Sequence, residues 1–333
     1  MADEQLIVVG AGPAGLRAAQ TLVAAGCSPT LVDESRAGGG RIYARPPAPL
    51  PLDARALYGT EAARATAVHA LAHLLAGQID YRPDTTAWNL AGRNLYVVRN
   101  GQHETLPFDA LIIAAGATDR LLPIAGWQYA GCYSLGGAQL LLKTQACAIG
   151  RRVAFVGTGP LLYLIAAQYA AAGAGIAGVF DTSPWAARVR ALPELLARPS
   201  TLLKGIGLER ALRRAGVPVH RGIVPQQIDG DAERGVTGLR WLDADGRAQH
   251  IECDAVALGF HLRPEAQLAD LARCAFDRDP LTGLWMPRID PTGAAACRAS
   301  TSPATARSCS ARSRPSAVAS SRRSRHCATW ATT

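Results

Sequence analysis

No Cys-x-x-Cys pair and no metal-like cluster occurs among the eight scattered cysteines of this 333-residue chain. A dithiol redox centre and a zinc site built on such spacings are thereby excluded. A signal-peptide pattern is missing too, because Asp3 and Glu4 directly precede a hydrophobic segment, so a cytoplasmic chain with reduced thiols is expected. Acidic residues are absent beyond residue 293, where Arg298, Arg307, Arg312, Arg314, Arg322, Arg323 and Arg325 all lie. Those seven, taken from the formal charge of +9, leave +2 on the rest of the chain, which rules out a basic nucleic-acid-binding body. Charge is also absent from Val153 to Phe180, a stretch longer than the roughly 20 residues of a membrane span. Its interior reads instead as a strand, a glycine turn and an Ala-rich helix, so no transmembrane segment is expected.

What is present is a composition of 49% hydrophobic residues with 33 glycines, sized for about two domains. The chain opens with a buried strand at Leu6–Val9, a glycine turn, a helix from about Pro13 to Ala25 and a strand at Thr30–Asp33, which is a βαβ unit. After a Gly- and Pro-rich loop, 59–75 reads as helix, and 95–98 and 109–117 read as strands. At Arg151 the same pattern restarts as RRVAFVGTGPLLYLIAAQYAAAGAGIAGVFDTS. Residues 195–215 read as helix within a mixed region, and 253–271 as a strand entering a turn. From about Gly293 the hydrophobic period disappears, and a tail without regular structure is expected.

Gly10, Gly12 and Gly15 form Gly-x-Gly-x-x-Gly directly after the first strand, with Pro13 and Ala14 opening the helix. The first glycine permits the turn, the second lets backbone N–H groups approach a pyrophosphate at the helix N-terminus, and the third lets helix and strand pack closely. An acid about 20 residues on accepts ribose hydroxyls in such units, and Asp33 and Glu34 both stand there. In the second copy Gly157 and Gly159 are kept, Leu162 replaces the third glycine, and Asp181 follows Gly157 by the same 24 residues that separate Glu34 from Gly10. Leu162 is expected to hold the helix off the strand, so this unit is expected to bind a dinucleotide such as NAD(P) poorly, to bind another adenine nucleotide, or to bind nothing. His69 and His73, one helical turn apart, have no third ligand and read as a helix face rather than a metal site. Trp127 and Trp285 are left unassigned.

Two such units, the first followed by the loop Gly38-Gly39-Gly40-Arg41, resemble the two-dinucleotide-binding-domain flavoproteins of the pyridine nucleotide-disulfide oxidoreductase superfamily. LIIAAGATDRLLPIAGW at 111–127 is similar to that family's Ala-Thr-Gly-type turn, which places Ala115 and Gly116 against the cofactor. The resemblance implies an α/β fold of two Rossmann-like dinucleotide-binding domains, the second inserted into the first. The expected segments are 1–125 and 253–293 for the FAD-binding domain, 126–252 for the NAD(P)-binding-like domain, and 294–333 for an aberrant tail. It implies FAD held by Gly10, Gly12, Pro13, Ala14, Gly15, Asp33 or Glu34, Gly39, Gly40, Arg41, Ala115 and Gly116, with Gly157, Gly159 and Asp181 at the second site.

GGGRIYARPP, GTGPLL, GFHLRPEAQLADLARC and DPLTGLWMPRID resemble one subgroup, which includes components of opine oxidase and hydrogen cyanide synthase and the α subunits of proline dehydrogenase and heteromeric sarcosine oxidase. That resemblance implies one part of a hetero-oligomeric dehydrogenase or oxidase of an amino acid, imino acid or opine, transferring hydride to flavin N5 with no catalytic base identified in this chain. Arg41, Ala125 and His261 depart from the subgroup, which usually has Gln, Pro and Gly there. A stand-alone NAD(P)H:acceptor flavin reductase is the alternative, and a truncated fragment that no longer closes the FAD site is another. The cysteines lack the family's redox pair, so disulfide reduction is not expected.

The family's last FAD motif, a strand ending in Gly-Asp, should follow LWMPRID, but CRASTSPATAR stands there. Reading the third base of each codon with the first two of the next permits G-V-Y-L-A-G-D-G-A over 298–307 and a helix-like pattern over 306–333. A frameshift near Gly293 to Cys297 is therefore expected, the alternative being a genuine Arg/Ser tail.

Overall fold

A computed structural model describes residues 4–46, 57–197, 199–290, 293–295, 309–310 and 329–330. The chain forms two compact units: the first comprises 1–45, 61–118 and 263–333, the second 46–60 and 119–262. The second unit is thus inserted into the first, with chain crossings at Thr118/Asp119 and Leu262/Arg263.

The first unit is built on β1 (Leu6–Val9), α1 (Pro13–Ala24), β2 (Thr30–Val32), α2 (Ala62–Ala76) and β3 (Asp80–Arg82). An antiparallel meander follows, β4 (Thr85–Ala91), β5 (Asn94–Arg99) and β6 (Gln102–Pro107), before β7 (Ala110–Ile113) returns to the main sheet. β7, β1, β2 and β3 are parallel neighbours, with Val9 opposite both Val32 and Ile113. Strands covered on both faces must be apolar along their whole length, as LIVV and ALII are. Ile7, Val9, Val32, Leu111 and Ile113 join Leu90, Leu95 and Val97 of the meander in one core. Helix α1 adds Leu16, 1% exposed, a burial that stabilises by about 1.5–3 kcal/mol.

After β8 (Ala117–Asp119), the second unit contains β9 (Cys132–Ser134), α3 (Leu135–Gln145), β10 (Val153–Thr158), α4 (Pro160–Ala171), β11 (Ile176–Asp181), α5 (Trp185–Leu196), α6 (Pro199–Arg214) and β12 (Val219–Arg221). A second meander, β13 (Val224–Asp231), β14 (Gly235–Leu242) and β15 (Ala248–Glu252), leads to β16 (Ala255–Phe260). The parallel sheet runs β12-β11-β10-β16-β9. The helix expected over 195–215 is α6, and a further helix, α5, precedes it. Pro193 has no N–H to donate inside α5, and the chain restarts at Pro199, a residue suited to a first helical turn.

The chain re-enters the first unit through β17 (Leu262–Pro264), α7 (Gln267–Leu271) and the hairpin β18 (Phe276–Arg278) with β19 (Trp285–Pro287). Beyond it, β20 (Ala294–Ala295), β21 (Cys309–Ser310) and β22 (Thr329–Trp330) are two-residue strands, and β22 pairs parallel with the free edge of β7. An edge strand offers unpaired N–H and C=O groups to any backbone, whatever its side chains, so this part of the tail has backbone pairing where none was expected. The Gly-Asp motif sought in the shifted frame over 298–307 lies outside the described residues.

Candidate functional site

Each unit presents its strand-turn-helix at the carboxyl end of a parallel sheet, where open α/β sheets bind ligands. In the first unit Gly10 has φ +103°, and a Cβ there would lie 2.3 Å from the Ala114 carbonyl oxygen. A Cβ on Gly15 would lie 1.8 Å from the oxygen of Gly10, so only glycine lets α1 approach the turn. A Cβ on Gly12 would meet only the Cα of Gly40, at 3.8 Å, which leaves its face open. Pro13 starts the helix with no acidic residue in the first turn and no side-chain cap, so the positive end of α1, running through Ala14, is not offset by a side chain of that turn. Gly39 donates its N–H to the Ala11 oxygen at 2.8 Å, and this bond lays the Gly38–Gly40 loop against the turn.

The structure separates Asp33 from Glu34. Asp33 is 8% exposed and its carboxylate accepts N–H bonds from Ala11 and from Ser35, the latter at 2.7 Å. Burial raises its pKa above the ordinary 3.8, against the opposing pull of those N–H groups. Glu34 is 62% exposed in its side chain and sits 3.6 Å from the Arg41 guanidinium. Asp33 therefore ties the turn to the end of β2, and Glu34 is the carboxylate available to a ligand. Gly116 has φ +79°, and its carbonyl accepts the Glu265 N–H at 3.0 Å, while Ala115 packs on the core. His69 is held by the Tyr43 carbonyl oxygen at 2.7 Å, and burial lowers its pKa.

In the second unit a Cβ on Gly157 would lie 1.8 Å from the Gly259 oxygen, and Gly159 at φ +90° opens α4 ahead of Pro160. Leu162 is fully buried among Ile165, Ala166 and Tyr169. Asp181, 1% exposed, accepts the Tyr163 hydroxyl at 2.6 Å and the Ser183 N–H at 2.7 Å. Its counterpart is Asp33, which accepts the N–H of Ser35, also two residues on. Asp181 thus does not correspond to Glu34, as equal spacing had suggested; the counterpart of Glu34 is Thr182. A bulge explains the count. The register between β10 and β11 shifts after Val153, which pairs with Ile176, whereas Ala154 pairs with Gly178, so Ala177 is an extra residue.

Sequence reasoning marked His261 as a bulky ring near a turn and assigned it no effect. Its φ is +70°, and a Cβ built on Gly159 would meet its Cε1 and Nδ1 at 3.0 Å. The only sequence signal was a bulky residue where a glycine is usual. Beside it runs an open groove of about 470 Å³, lined by Leu122, Pro123, Ile124, Thr182, Val224 and Phe260.

Cys132 and Cys253 are pushed by burial to about 11 and about 12, so neither supplies a thiolate at neutral pH. Among the described residues no group of His, Cys, Asp and Glu is arranged to hold a metal ion, and no helix is long and apolar enough to cross a membrane.

One of the subunits of opine oxidase, from Agrobacterium tumefaciens (strain Ach5), is 31% identical to the chain over 300 residues, which cover 86% of this chain and 58% of that protein. The hydrogen cyanide synthase subunit HcnB of Pseudomonas aeruginosa is 29% identical over 270 residues, 79% of this chain and 58% of its own length. The chain therefore spans less than two thirds of the length of these relatives. Among solved structures, thioredoxin reductase of T. acidophilum superposes with a TM-score of 0.61 at 18% identity, covering 90% of this chain and 88% of that one, which is a likeness of fold. The model of the pyridine nucleotide-disulphide oxidoreductase family matches residues 4–281, and with the two glycine-turn units described above this chain belongs to that family of FAD- and NAD(P)-binding oxidoreductases.

Proposed function

We propose that the chain is the electron-transferring subunit of a heteromeric FAD-dependent dehydrogenase or oxidase whose substrate is an amino acid, imino acid or opine. The observation that carries this reading is the asymmetry of the two turns: Gly12 keeps an open face with Glu34 directed outward, whereas Gly159 carries an imidazole against it and Asp181 is spent internally. A chain whose working cofactor is the flavin of the first unit fits that asymmetry better than a stand-alone NAD(P)H reductase does. The relatives, named as single subunits of larger enzymes, support a partner chain.

The first unit fits FAD. Gly10 and Gly15 draw strand and helix together, Gly12 and the N-terminus of α1 receive the pyrophosphate, Glu34 accepts ribose hydroxyls, and Gly39, Gly40, Arg41, Ala115 and Gly116 border the same turn. FAD held there supplies hydride acceptance at its ring system. Asp33 fixes the turn from beneath, and half-buried Cys132 and buried Cys253 take no part in thiol chemistry. Gly157 and Gly159 form the second nucleotide turn, for NAD(P). The tail is proposed to be read out of frame.

The test is an absorbance spectrum of the purified chain beside one whose tail is restored to the shifted frame. Flavin bands in both support the reading for this polypeptide, and bands only in the restored chain assign the flavin site's completion to the missing Gly-Asp strand. Two folded proteins without flavin overturn it.

A further inference from the structure

The second glycine of a dinucleotide-binding turn is glycine so that a pyrophosphate can occupy the space a Cβ would take. At Gly159 that space is crowded by a side chain. The His261 ring comes within 3.0 Å of the Cβ position through Cε1 and Nδ1, with Nε2 at 3.8 Å. At Gly12, its counterpart, the nearest atom is a backbone Cα at 3.8 Å. The imidazole of the second unit thus lies where the phosphate oxygens of NAD(P) must come.

The backbone puts the ring there. His261 has φ +70°, in the left-handed region that costs a residue with a Cβ, although histidine, like Asn and Asp, enters it more often than most. The strain is held by two main-chain bonds, the Arg120 N–H to the His261 oxygen and the Phe260 N–H to the Arg120 oxygen, both at 2.9 Å. The register of β16 on β10 fixes the approach, with Gly157 opposite Gly259 and Thr158 opposite Phe260, so the next residue projects over the turn. Leu135 packs so closely on Gly259 that a Cβ there would lie 2.5 Å from its Cδ1, which keeps this end of β16 from shifting away. The main chain is pinned, while the side chain of His261 is itself exposed.

We propose that His261 is a gate on the second nucleotide site. With its ring on Gly159 the turn is closed to a pyrophosphate, and NAD(P) binds only when the ring swings toward solvent. The inference rests on the second turn being the NAD(P) site, and it assigns the chain's nucleotide affinity to one side chain that sequence spacing does not single out. If the ring is off the turn about a tenth of the time, the apparent affinity for a pyrophosphate-bearing ligand is reduced about tenfold. A ligand without phosphate does not meet the gate.

The experiment is calorimetric titration of the full chain with ADP-ribose, NADH and adenosine, using wild type, H261G and H261N. Asparagine tolerates the left-handed backbone while removing the ring, so it separates the loss of the imidazole from the added flexibility of glycine. The expected result is about tenfold tighter binding of ADP-ribose and NADH by both variants, with adenosine unchanged. Equal or weaker binding by the variants would overturn the proposal and make the ring a phosphate contact. Adenosine tightened as much as ADP-ribose, or ADP-ribose bound by none of the three proteins, would overturn it as well. Flavin absorbance of the same samples is read before titration, so a failure of the FAD reading is seen separately from a failure of the gate.

Discussion

The first unit has a third glycine with no room for any side chain, and the second has a leucine in its place with none of its surface exposed. Both helices are twelve residues long and begin with proline after a glycine, so the difference is one of packing and not of helix formation. In the first unit α1 rests on the turn itself, with the Cβ position of Gly15 1.8 Å from the Gly10 oxygen. In the second, the leucine side chain becomes core material, packed with Ile165, Ala166 and Tyr169. One turn motif therefore serves two ends, a tight cradle for a cofactor and a core-anchored helix beside a gated turn.

Exchanging these residues is the strongest test. Gly15→Leu should destabilise the first unit by about 4 kcal/mol or more, because neither backbone can retreat from such an overlap, and flavin should be lost with it. Leu162→Ala should cost about 2–5 kcal/mol by opening a cavity in the second core. Thermal unfolding and flavin content measured together decide the matter: the comparison breaks if Gly15→Leu retains flavin.

Next in size is the outward acid. Glu34→Gln removes the charged acceptor without touching the core, and loss of a hydrogen bond to a charged group is worth about 1.5–3 kcal/mol, or about 10- to 100-fold in flavin retention. The melting temperature of the flavin-free protein should not move. Asp33→Asn should show the reverse, destabilising the fold by about 1–3 kcal/mol because one buried N–H loses its acceptor. It also carries a pH signature. Burial raises the Asp33 pKa above 3.8, so its contribution to stability is full below that pH and is lost as the pH rises through the folded-state value. Denaturant unfolding followed upward from that point should show this loss in the wild type and not in Asp33→Asn.

The strands and turns were legible because parallel, doubly covered strands must be apolar throughout and because the turns need glycine; LIVV with Gly10, and VAFVGT with Gly157, state both at once. The choice between Asp33 and Glu34 was not legible, since neighbouring residues at a strand end point to opposite sides and only the backbone reveals which side holds Ala11 and Ser35. The pairing of Asp181 with Glu34 failed for a related reason: a bulge at Ala177 adds one residue without moving the acid, and bulges leave little trace in composition. His261 was visible as a departure from glycine, but its effect was not, because that depends on its approach across β16 to a turn a hundred residues earlier in the chain.

The smallest expected effect sharpens the comparison most finely. Thr182 occupies the place that Glu34 holds in the first unit, so Thr182→Glu gives the second unit the acid it lacks. In the wild-type background the change should be about twofold or less, because the His261 ring still closes the turn. In the H261G background the new carboxylate can meet ribose hydroxyls and should tighten NADH by about 1 kcal/mol, or about fivefold. NADPH should not gain, since a carboxylate at that place repels a 2′-phosphate. Titration of both nucleotides against the single and double variants measures this directly. A Thr182→Glu effect of equal size with and without the histidine would show that the two sites act independently, and that the gate is not what separates the second unit from the first.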